Sequence, residues 1–238
     1  MQIIPVRTRL FREGENLREF IVESIPVLQA GDILVVTSKI VALAEHRVIA
    51  SNRNKRQVIL EEAEESVETP WCLLTRNGND WCANAGVDES NANGSVILLP
   101  KDPKESAKRL RDEFGNREIG LILTDTRTVP LRQGTMGMAL AWAGVDQLKD
   151  YIGTPDLYGR PLKMTKANIV HALAAAAVLV MGEGAESVPI VIIRDSGVPI
   201  NFEASGEVGD VAMLPEEDLY QYLFVAKSAS RVDNTPIL

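Results

Sequence analysis

The chain has 238 residues and a mass of 26.1 kDa, so it can bury a core as one large domain or two small ones. Its hydrophobic fraction of 45% and charged fraction of 24% are typical of globular proteins, and a net charge of −8 disfavours binding to nucleic acid or to anionic membranes. Charges interrupt the N-terminus where a signal peptide needs an apolar stretch, and no run of about 18 apolar residues occurs, so we expect a cytoplasmic protein without nucleic-acid or membrane partners.

Four short apolar segments, rich in β-branched residues and flanked by turn signals, are predicted to be buried strands. In chain order they span residues 31–43, 95–100, 118–125 and 188–195. Helices are predicted between and after these strands, which indicates an interleaved arrangement of the two element types.

Two of the predicted helices have recognisable ends. In residues 102–115, Asp102 is placed as N-cap, Pro103 lies in the first turn and Gly115 follows the end. In 165–182, Thr165 is the predicted N-cap and Gly182 the terminator, and the apolar middle must be buried on most sides, in the core or at a subunit contact.

Three shorter helices are predicted at 15–24, 56–68 and 215–228. The chain has no internal repeat and no Pro/Gly/Ser-rich linker, so we predict one domain over 1–238. A boundary between two lobes would fall near 51–57 or within 195–210.

Carboxylates and hydroxyls follow several of the apolar segments. Asp125 is expected at or just past the carboxyl end of its strand, and Thr126 adds a hydroxyl beside it, a pair suited to Mg²⁺. Asp88 and Asn91 offer a second carboxylate and an amide, and Glu183 lies between two glycines after the long helix. Each also has a simpler interpretation, as a turn-forming side chain, a solvated turn or part of a helix stop.

Other site classes have little support. Basic residues near turns are candidate phosphate contacts, although most such residues only solvate a surface. They are Arg7, Arg9, Arg12, Lys39 and Arg132. Cys72 and Cys82 have neither zinc nor redox spacing, so both are predicted to be structurally buried. The chain has no P-loop and no dinucleotide-binding glycine pattern.

Several motifs in the same order resemble the F-420-0:γ-glutamyl ligase family, known as CofE. The resemblance covers nearly the whole chain up to about residue 200 and rests on these stretches: GDILVVTSKIVALAEHRV, CANAGVDESN, ILTDT, RQG, DYIGTPDLYGRPLKMT and AAAAVLVMGEG.

This resemblance implies a fold, an activity and a set of cofactors. The implied fold is α+β, with mixed β-sheets, packed helices and an intertwined homodimer. The implied activity joins the amine of L-glutamate to a carboxylate of an F-420 precursor through an acyl phosphate. It would use GTP or ATP as co-substrate and Mg²⁺ or Mn²⁺ as cofactor, with K⁺ as a further candidate cation.

The resemblance also assigns site residues. Asp88 and Asp125 resemble the ligands of one metal ion, and Thr126 and Glu183 those of a second. The candidate catalytic residues are Asp88, Asp125 and Arg132. The nucleotide-contacting positions are Arg9, Leu10, Phe11, Arg12, Ser38, Lys39, Asn91, Met181, Gly182, Gly184, Ala185 and Glu186.

The chain also departs from the family pattern. Leu43 stands where a nucleotide-contacting Lys is expected, Thr128 and Val129 replace a Gly-Arg pair, and His171 and Ala172 replace two acidic residues. These departures suggest retained nucleotide chemistry with an altered acceptor. Folate-type glutamylation is one alternative, and a nucleotide-binding protein without turnover is another.

Overall fold

The structure is a computed structural model that describes residues 1–50, 52–78, 80–92, 94–115, 118–214 and 217–220. The strands are β1 (Gln2–Val6), β2 (Ile33–Thr37), β3 (Val48–Ala50), β4 (Glu65–Glu68), β5 (Leu73–Asn77), β6 (Asp80–Ala83), β7 (Ser95–Ile97), β8 (Gly120–Thr128), β9 (Thr135–Val145), β10 (Leu148–Asp150), β11 (Lys166–Asn168), β12 (Ile190–Arg194) and β13 (Ile200–Glu207). The helices are α1 (Leu17–Ser24), α2 (Ser38–Ala44), α3 (Lys55–Glu62), α4 (Pro103–Asp112) and α5 (Ile169–Met181).

A six-stranded sheet with strand order β1-β12-β2-β8-β9-β13 forms the centre of the fold. The β2–β8 pair is parallel and the other neighbours are antiparallel. The sheet is therefore mixed, and helices pack on it, which confirms the predicted α+β class with mixed sheets.

The two faces of this sheet carry alternate residues of the same strands, as a strand period of two requires. Leu34 and Leu121 face a core that also receives α1, α2 and α4, whereas Val35 and Ile122 face a core covered by α5. Because both faces are covered, β2 is buried over most of its length, which explains why its sequence is continuously apolar.

Helix α5 starts later than the sequence predicts. Residues Lys166–Asn168 form β11, and the side chain of Asn168, not Thr165, caps the helix by accepting from the backbone N–H of His171. The predicted terminator is confirmed, since Gly182 ends the helix with φ 76°, a conformation that glycine adopts without strain. One face of α5 is buried, and Leu179 on the other is exposed.

Two other predicted elements change type midway. The apolar run 31–43 is a strand only to Thr37, after which α2 begins, because Ile40 and Val41 are buried on one helical face and packing overrides their β propensity. Residues 56–68 form α3 and then β4, because β4 pairs with β5 in a separate three-stranded sheet, β4-β5-β6.

Most of the remaining predicted strands and helices are confirmed, and one lies mainly outside the described residues. The predicted strands at 95–100 and 188–195 are present as β7 and β12, and the predicted helix at 15–24 is α1. In α4, Asp102 accepts from the N–H of Glu105 and Pro103 occupies the first turn, as predicted. The predicted helix 215–228 falls mainly outside the described residues. Cys82 is buried as predicted, whereas Cys72 is only half-buried.

Three smaller substructures complete the described fold, and the first is the antiparallel pair of β3 and β7. Strands β10 and β11 pair to form the base of a projecting arm, residues 146–168, in which Leu157 and Met164 are exposed. Helix α3, β5 and the turn at 84–86 enclose a third small core that includes Val58 and Leu73. Within the described residues, no helix is both long and apolar enough to cross a lipid bilayer.

An ion pair joins Asp32, directly before β2, to Arg194, the last residue of β12. Asp32 is 1% exposed, and its Oδ1 and Oδ2 accept from Arg194 Nε at 2.8 Å and Nη2 at 2.7 Å. Burial opposes the charged carboxylate, but hydrogen bonds from Arg194 and from the Gln29 N–H hold the pKa of Asp32 below its ordinary value. The pair therefore stabilises the fold only while Asp32 is ionised.

We expect Asp32→Asn to lower the free energy of unfolding by about 3 kcal/mol at neutral pH, because it removes the carboxylate that accepts two hydrogen bonds from Arg194. Since folding lowers the pKa, this contribution is present above about pH 4 and is lost as the pH falls through the folded-state pKa. Urea unfolding of both proteins at several pH values should show the difference shrink in acid. The control is Asp195→Asn, a change at a more accessible acid that accepts from Gln2; an equal loss in both variants would contradict the assignment.

Candidate functional site

A cleft of about 300 Å³ opens beside the end of β2 that leads into α2. Segments distant in sequence form its walls. The lining residues are Thr8, Arg9, Leu10, Phe11, Thr37, Lys39, Ile40, Leu43, Asp88, Ser90, Asn91, Thr124, Asp125, Thr126, Val178, Met181, Gly182, Glu183, Gly184, Ala185, Glu186, Ser187, Val188 and Pro189. This cleft has the composition of a small-molecule site, with apolar walls and a few convergent charged groups.

The segment after β1 is fixed to the loop after α5. The N–H of Thr8 donates to the carbonyl of Ser187 at 2.9 Å, and the N–H of Thr37 donates to the carbonyl of Pro189 at 3.0 Å. The Phe11 ring packs edge-on against Phe20 of α1, with centroids 4.9 Å apart. These contacts hold both walls on the central sheet.

Lys39, in the first turn of α2, reaches across the cleft to the loop at 88–91. Its Nζ lies 2.7 Å from Asp88 Oδ2 and donates to the carbonyl and hydroxyl oxygens of Ser90 at 3.1 and 3.0 Å. The backbone N–H and the hydroxyl of Ser90 donate to Asp88 at 2.7 Å each. Burial opposes ionisation of Asp88, but these contacts hold its pKa below the ordinary value. Asp88 is therefore a fixed anion.

Asp125 lies inside β8 and not at its end, which corrects the sequence prediction. The parallel partner β2 stops at Thr37, opposite Thr124, so Asp125 is the first residue of β8 beyond that pairing. The carboxylate is consequently at an edge of the sheet, even though the strand continues to Thr128 alongside β9. Ligands commonly bind at such an edge, where one of two parallel strands has ended.

Two side chains hold the Asp125 carboxylate. Arg127 Nη1 is 3.2 Å from Oδ2, and the Ser38 hydroxyl donates to Oδ1 at 3.5 Å. Burial raises the pKa of Asp125, and repulsion from Asp88 adds to that rise against the opposing charges of Arg127 and Lys39. Negative charge is therefore unfavourable at Asp125 while the cleft contains only these side chains.

Glu183, which follows α5, is a further acid of the cleft. Burial raises the pKa of Glu183 and repulsion from Asp125 raises it further, although the charge of Lys39 and the nearby Thr126 hydroxyl oppose the rise. Asp88, Asp125 and Glu183 all line the cleft. Two of these carboxylates, Asp125 and Glu183, resist ionisation beside the anionic Asp88, which is the electrostatic pattern of a site that favours a cation.

The loop after α5 forms one wall and has its own internal contacts. Asn91 Nδ2 donates to the carbonyl of Gly184 at 3.3 Å, which links this loop to the segment that carries Asp88. Glu186 Oε2 accepts from the N–H of Gly184 at 2.8 Å, so a carboxylate occupies that backbone donor. The loop thus brings acidic groups to the cleft, while the amide donor of Gly184 is already satisfied within the loop.

Most of the residues singled out in the sequence come together in this cleft. Ser38 does not line it but contacts Asp125 from behind. Arg12 and Arg132 lie outside the lining, and Arg132 Nη1 donates to the carbonyl of Leu131 at 2.9 Å. Their proposed contacts with substrate remain predictions.

The sequence interpretation missed two polar residues that shape the site. Ser90 contacts both Lys39 and Asp88, and Arg127 pairs with Asp125. Arg127 follows Asp125 by two positions, and alternate residues of a strand lie on the same face. A predicted strand that continued to Thr128 would therefore have placed both side chains on one face.

The departures from the family pattern have distinct positions. Leu43 lines the cleft and packs against the core under α2, so the wall is apolar where a charge was expected. His171 Nδ1 accepts from the N–H of Ala139 at 3.1 Å, and burial lowers the pKa of His171, so it packs as a neutral side chain. Thr128 is the last residue of β8, Val129 follows it, and neither lines the cleft.

The donor set of the cleft fits a hard divalent cation. Carboxylate and hydroxyl oxygens are the ligands that Mg²⁺ and Mn²⁺ prefer, and Mg²⁺ usually takes one or two carboxylates, with water and phosphate in the other positions. Among the described residues, no three His, Cys, Asp or Glu side chains are already arranged to hold a metal ion. Asp88 with Asp125, and Thr126 with Glu183, would hold the predicted cations together with ligands from the substrate.

Comparison with known proteins gives consistent matches over most of the chain. The profile of the F420-0:Gamma-glutamyl ligase family matches residues 5–56 and 49–195. The coenzyme F420:L-glutamate ligase of Archaeoglobus fulgidus is 35% identical, covering 92% of this chain and 96% of that protein. The enzyme of that name from Methanopyrus kandleri is 38% identical, covering 93% and 98%. In Methanocaldococcus jannaschii the identity is 35%, with coverage of 93% and 97%.

Proposed function

The chain belongs to the F420-0:gamma-glutamyl ligase family, and from this premise we propose that it is an enzyme that joins L-glutamate to a carboxylate of an F420-0-like cofactor precursor. The proposed co-substrate is GTP or ATP, with Mg²⁺ or Mn²⁺ as the metal. The observation that carries this proposal is the cleft itself, where Lys39, Asp88, Asp125, Thr126 and Glu183 converge from separate segments.

The proposed reaction has two steps. The acceptor carboxylate attacks the γ-phosphorus, the bond to the β-phosphate oxygen breaks and the nucleoside diphosphate leaves, which gives an acyl phosphate on the acceptor. The glutamate amine then attacks the acyl carbon, the bond to phosphate breaks, and phosphate and the amine proton depart. A bound divalent cation would supply charge neutralisation at the phosphate oxygens.

The residues of the chain contribute positions and charges, and no protein nucleophile is required. Lys39 offers an ammonium to phosphate oxygens, and Asp88 fixes that ammonium at 2.7 Å. Asp88, Asp125, Thr126 and Glu183 would supply oxygen ligands for the divalent cations. Phe11, Ile40 and Leu43 form the apolar wall that excludes water from one side. Positioning and electrostatics would therefore account for the rate.

The acceptor is the part of this proposal that most needs a direct test. Purified protein would be incubated with L-glutamate, each nucleotide and each metal, and with F420-0, dihydropteroate or folate in parallel. Mass spectrometry should detect the addition of glutamate to F420-0. Addition only to a folate-type acceptor would replace the proposed substrate, and nucleotide binding without product from any acceptor would favour a protein that binds but does not turn over.

We also propose a homodimer, supported by exposed apolar groups on the arm 146–168 and on α5. Leu157 is 100% exposed, Met164 86% and Leu179 81%, which is costly for side chains of this size. We expect light scattering to give twice the chain mass. Replacing Leu157 and Met164 with Ser should shift the protein toward monomer, whereas Val27→Ser, at an exposed site away from the arm, should not.

A further inference from the structure

Arg127 is a buried arginine that links two parts of the fold. Its side chain is 8% exposed, and Nη1 lies 3.2 Å from Asp125 Oδ2. Its Nη2 donates to Asp80 Oδ2 at 3.3 Å, and Asp80 is the first residue of β6 in the three-stranded sheet. One guanidinium therefore bridges a carboxylate of the cleft and a carboxylate of the neighbouring sheet.

The bridge matches the chemistry of arginine. Its planar fork presents separate N–H groups to two acceptors, which a lysine ammonium cannot reproduce with the same geometry. Burial opposes its charge, but the neighbouring negative groups, with Asp125 foremost, keep the pKa of Arg127 above its ordinary value. The guanidinium is thus a permanent positive charge directly behind the cleft.

Asp125 is consequently held from two directions. Arg127 engages Oδ2, and the Ser38 hydroxyl contacts Oδ1. Four acids line the cleft, and the cations Arg9 and Lys39 line it with Arg127 behind them, so four negative charges minus three positive ones leave a formal charge of −1. A fixed carboxylate and a small negative charge suit a metal ion that arrives with an anionic nucleotide.

We propose that Arg127 is a positioning residue, which acts on the bound metal–nucleotide complex through Asp125 and is itself anchored by Asp80. The inference deepens the proposed function and rests on it, because the ligand that would report the effect is the one proposed for the cleft. Arg127 does not line the cleft, so its effect is transmitted by the orientation and charge of Asp125.

The test measures binding and not turnover. Isothermal titration calorimetry would follow Mg²⁺ with guanosine 5′-(β,γ-imido)triphosphate on the full chain. The variants are Arg127→Gln, Arg127→Lys and Asp80→Asn. The control is Arg53→Gln, which removes an exposed pair with Glu61. The melting temperature of every variant would be recorded, and the titrations would be run well below the lowest melting temperature.

We expect Arg127→Gln to weaken binding at least about 10-fold, since it removes both the charge and the orientation of Asp125. Arg127→Lys should recover part of that loss by keeping the charge, and Asp80→Asn should weaken binding by about two- to fivefold through a looser Arg127. Arg53→Gln should leave affinity unchanged. If Arg127 only stabilised the fold, the affinities of the variants would not follow this order.

Three other results of these titrations would overturn the inference. If Arg127→Gln melts lower but binds as tightly as the wild type, Arg127 is only structural and the inference is overturned. If Arg127→Gln fails to fold, unchanged affinity in both Arg127→Lys and Asp80→Asn would overturn it equally. If the wild-type chain does not bind the nucleotide, the proposed function fails and the inference falls with it.

Discussion

Asp125→Asn is expected to lower metal- and nucleotide-dependent glutamylation by about 10³-fold or more while the chain stays folded. The amide keeps the shape of the carboxylate but loses the charge that a cation would use. Asp125 also pairs with the buried Arg127, so the substitution is expected to lower stability as well, and turnover would be compared at a temperature where both proteins are folded. Initial rates from mass spectrometry and the melting temperature would be measured on the same preparations.

The neighbouring acids provide matched comparisons for this variant. Asp88→Asn should also abolish turnover, since it removes the partner of Lys39. Glu89→Gln changes the adjacent residue, whose carboxylate pairs with Lys55 and does not line the cleft, so activity should remain close to wild type. Turnover within about threefold of wild type in both Asp125→Asn and Asp88→Asn would show that the cleft is not the site of the reaction.

Lys39→Met is expected to raise the KM for the nucleotide by about 100-fold, equivalent to about 2.7 kcal/mol, with a smaller effect on kcat. Methionine keeps much of the apolar stem but removes the ammonium that lies among Asp88 and Ser90. A phosphate group would lose its cationic contact in the ground state and in the transition state alike, so the effect should fall mainly on binding.

Lys55→Met is the control for this change, because Lys55 makes an ion pair of the same length, 2.7 Å, with Glu89 outside the cleft. Steady-state kinetics with varied nucleotide at saturating glutamate and metal would separate KM from kcat. A loss confined to kcat would assign Lys39 to the chemical step, and no change in either constant would remove it from the site.

Local sequence signals predicted the helix ends that are determined by a capping side chain or by the backbone preference of one residue. Asp102, Pro103 and Gly182 mark helix ends through caps and through backbone preference, and the structure confirms all three positions. Thr165 was a wrong cap because the next residues pair with β10, a tertiary contact that has no local signal. The change from β2 to α2 within one apolar run is of the same kind.

The candidate site was predicted only in part for a similar physical reason. Residue type and the family resemblance pointed to the acids and to Lys39, and the fold brings them to one cleft. Arg127 and Ser90 were missed because their importance depends on which side chains they face in space. The Asp80–Arg127 contact, for example, joins residues 47 positions apart in different sheets.

The cleft requires the central sheet to be nearly complete, because Ser38 and Asp125 meet across 87 positions and one wall extends to Pro189. Contacts this distant in sequence form late, since a long loop must close before they stabilise anything. During synthesis, a nascent chain that ends before β12 would contain every lining residue but would lack the strand that lies between β1 and β2 in the sheet. We therefore expect nucleotide-dependent protection from protease to arise only after residues 181–194 have left the ribosome, which places the acquisition of binding among the last events of folding.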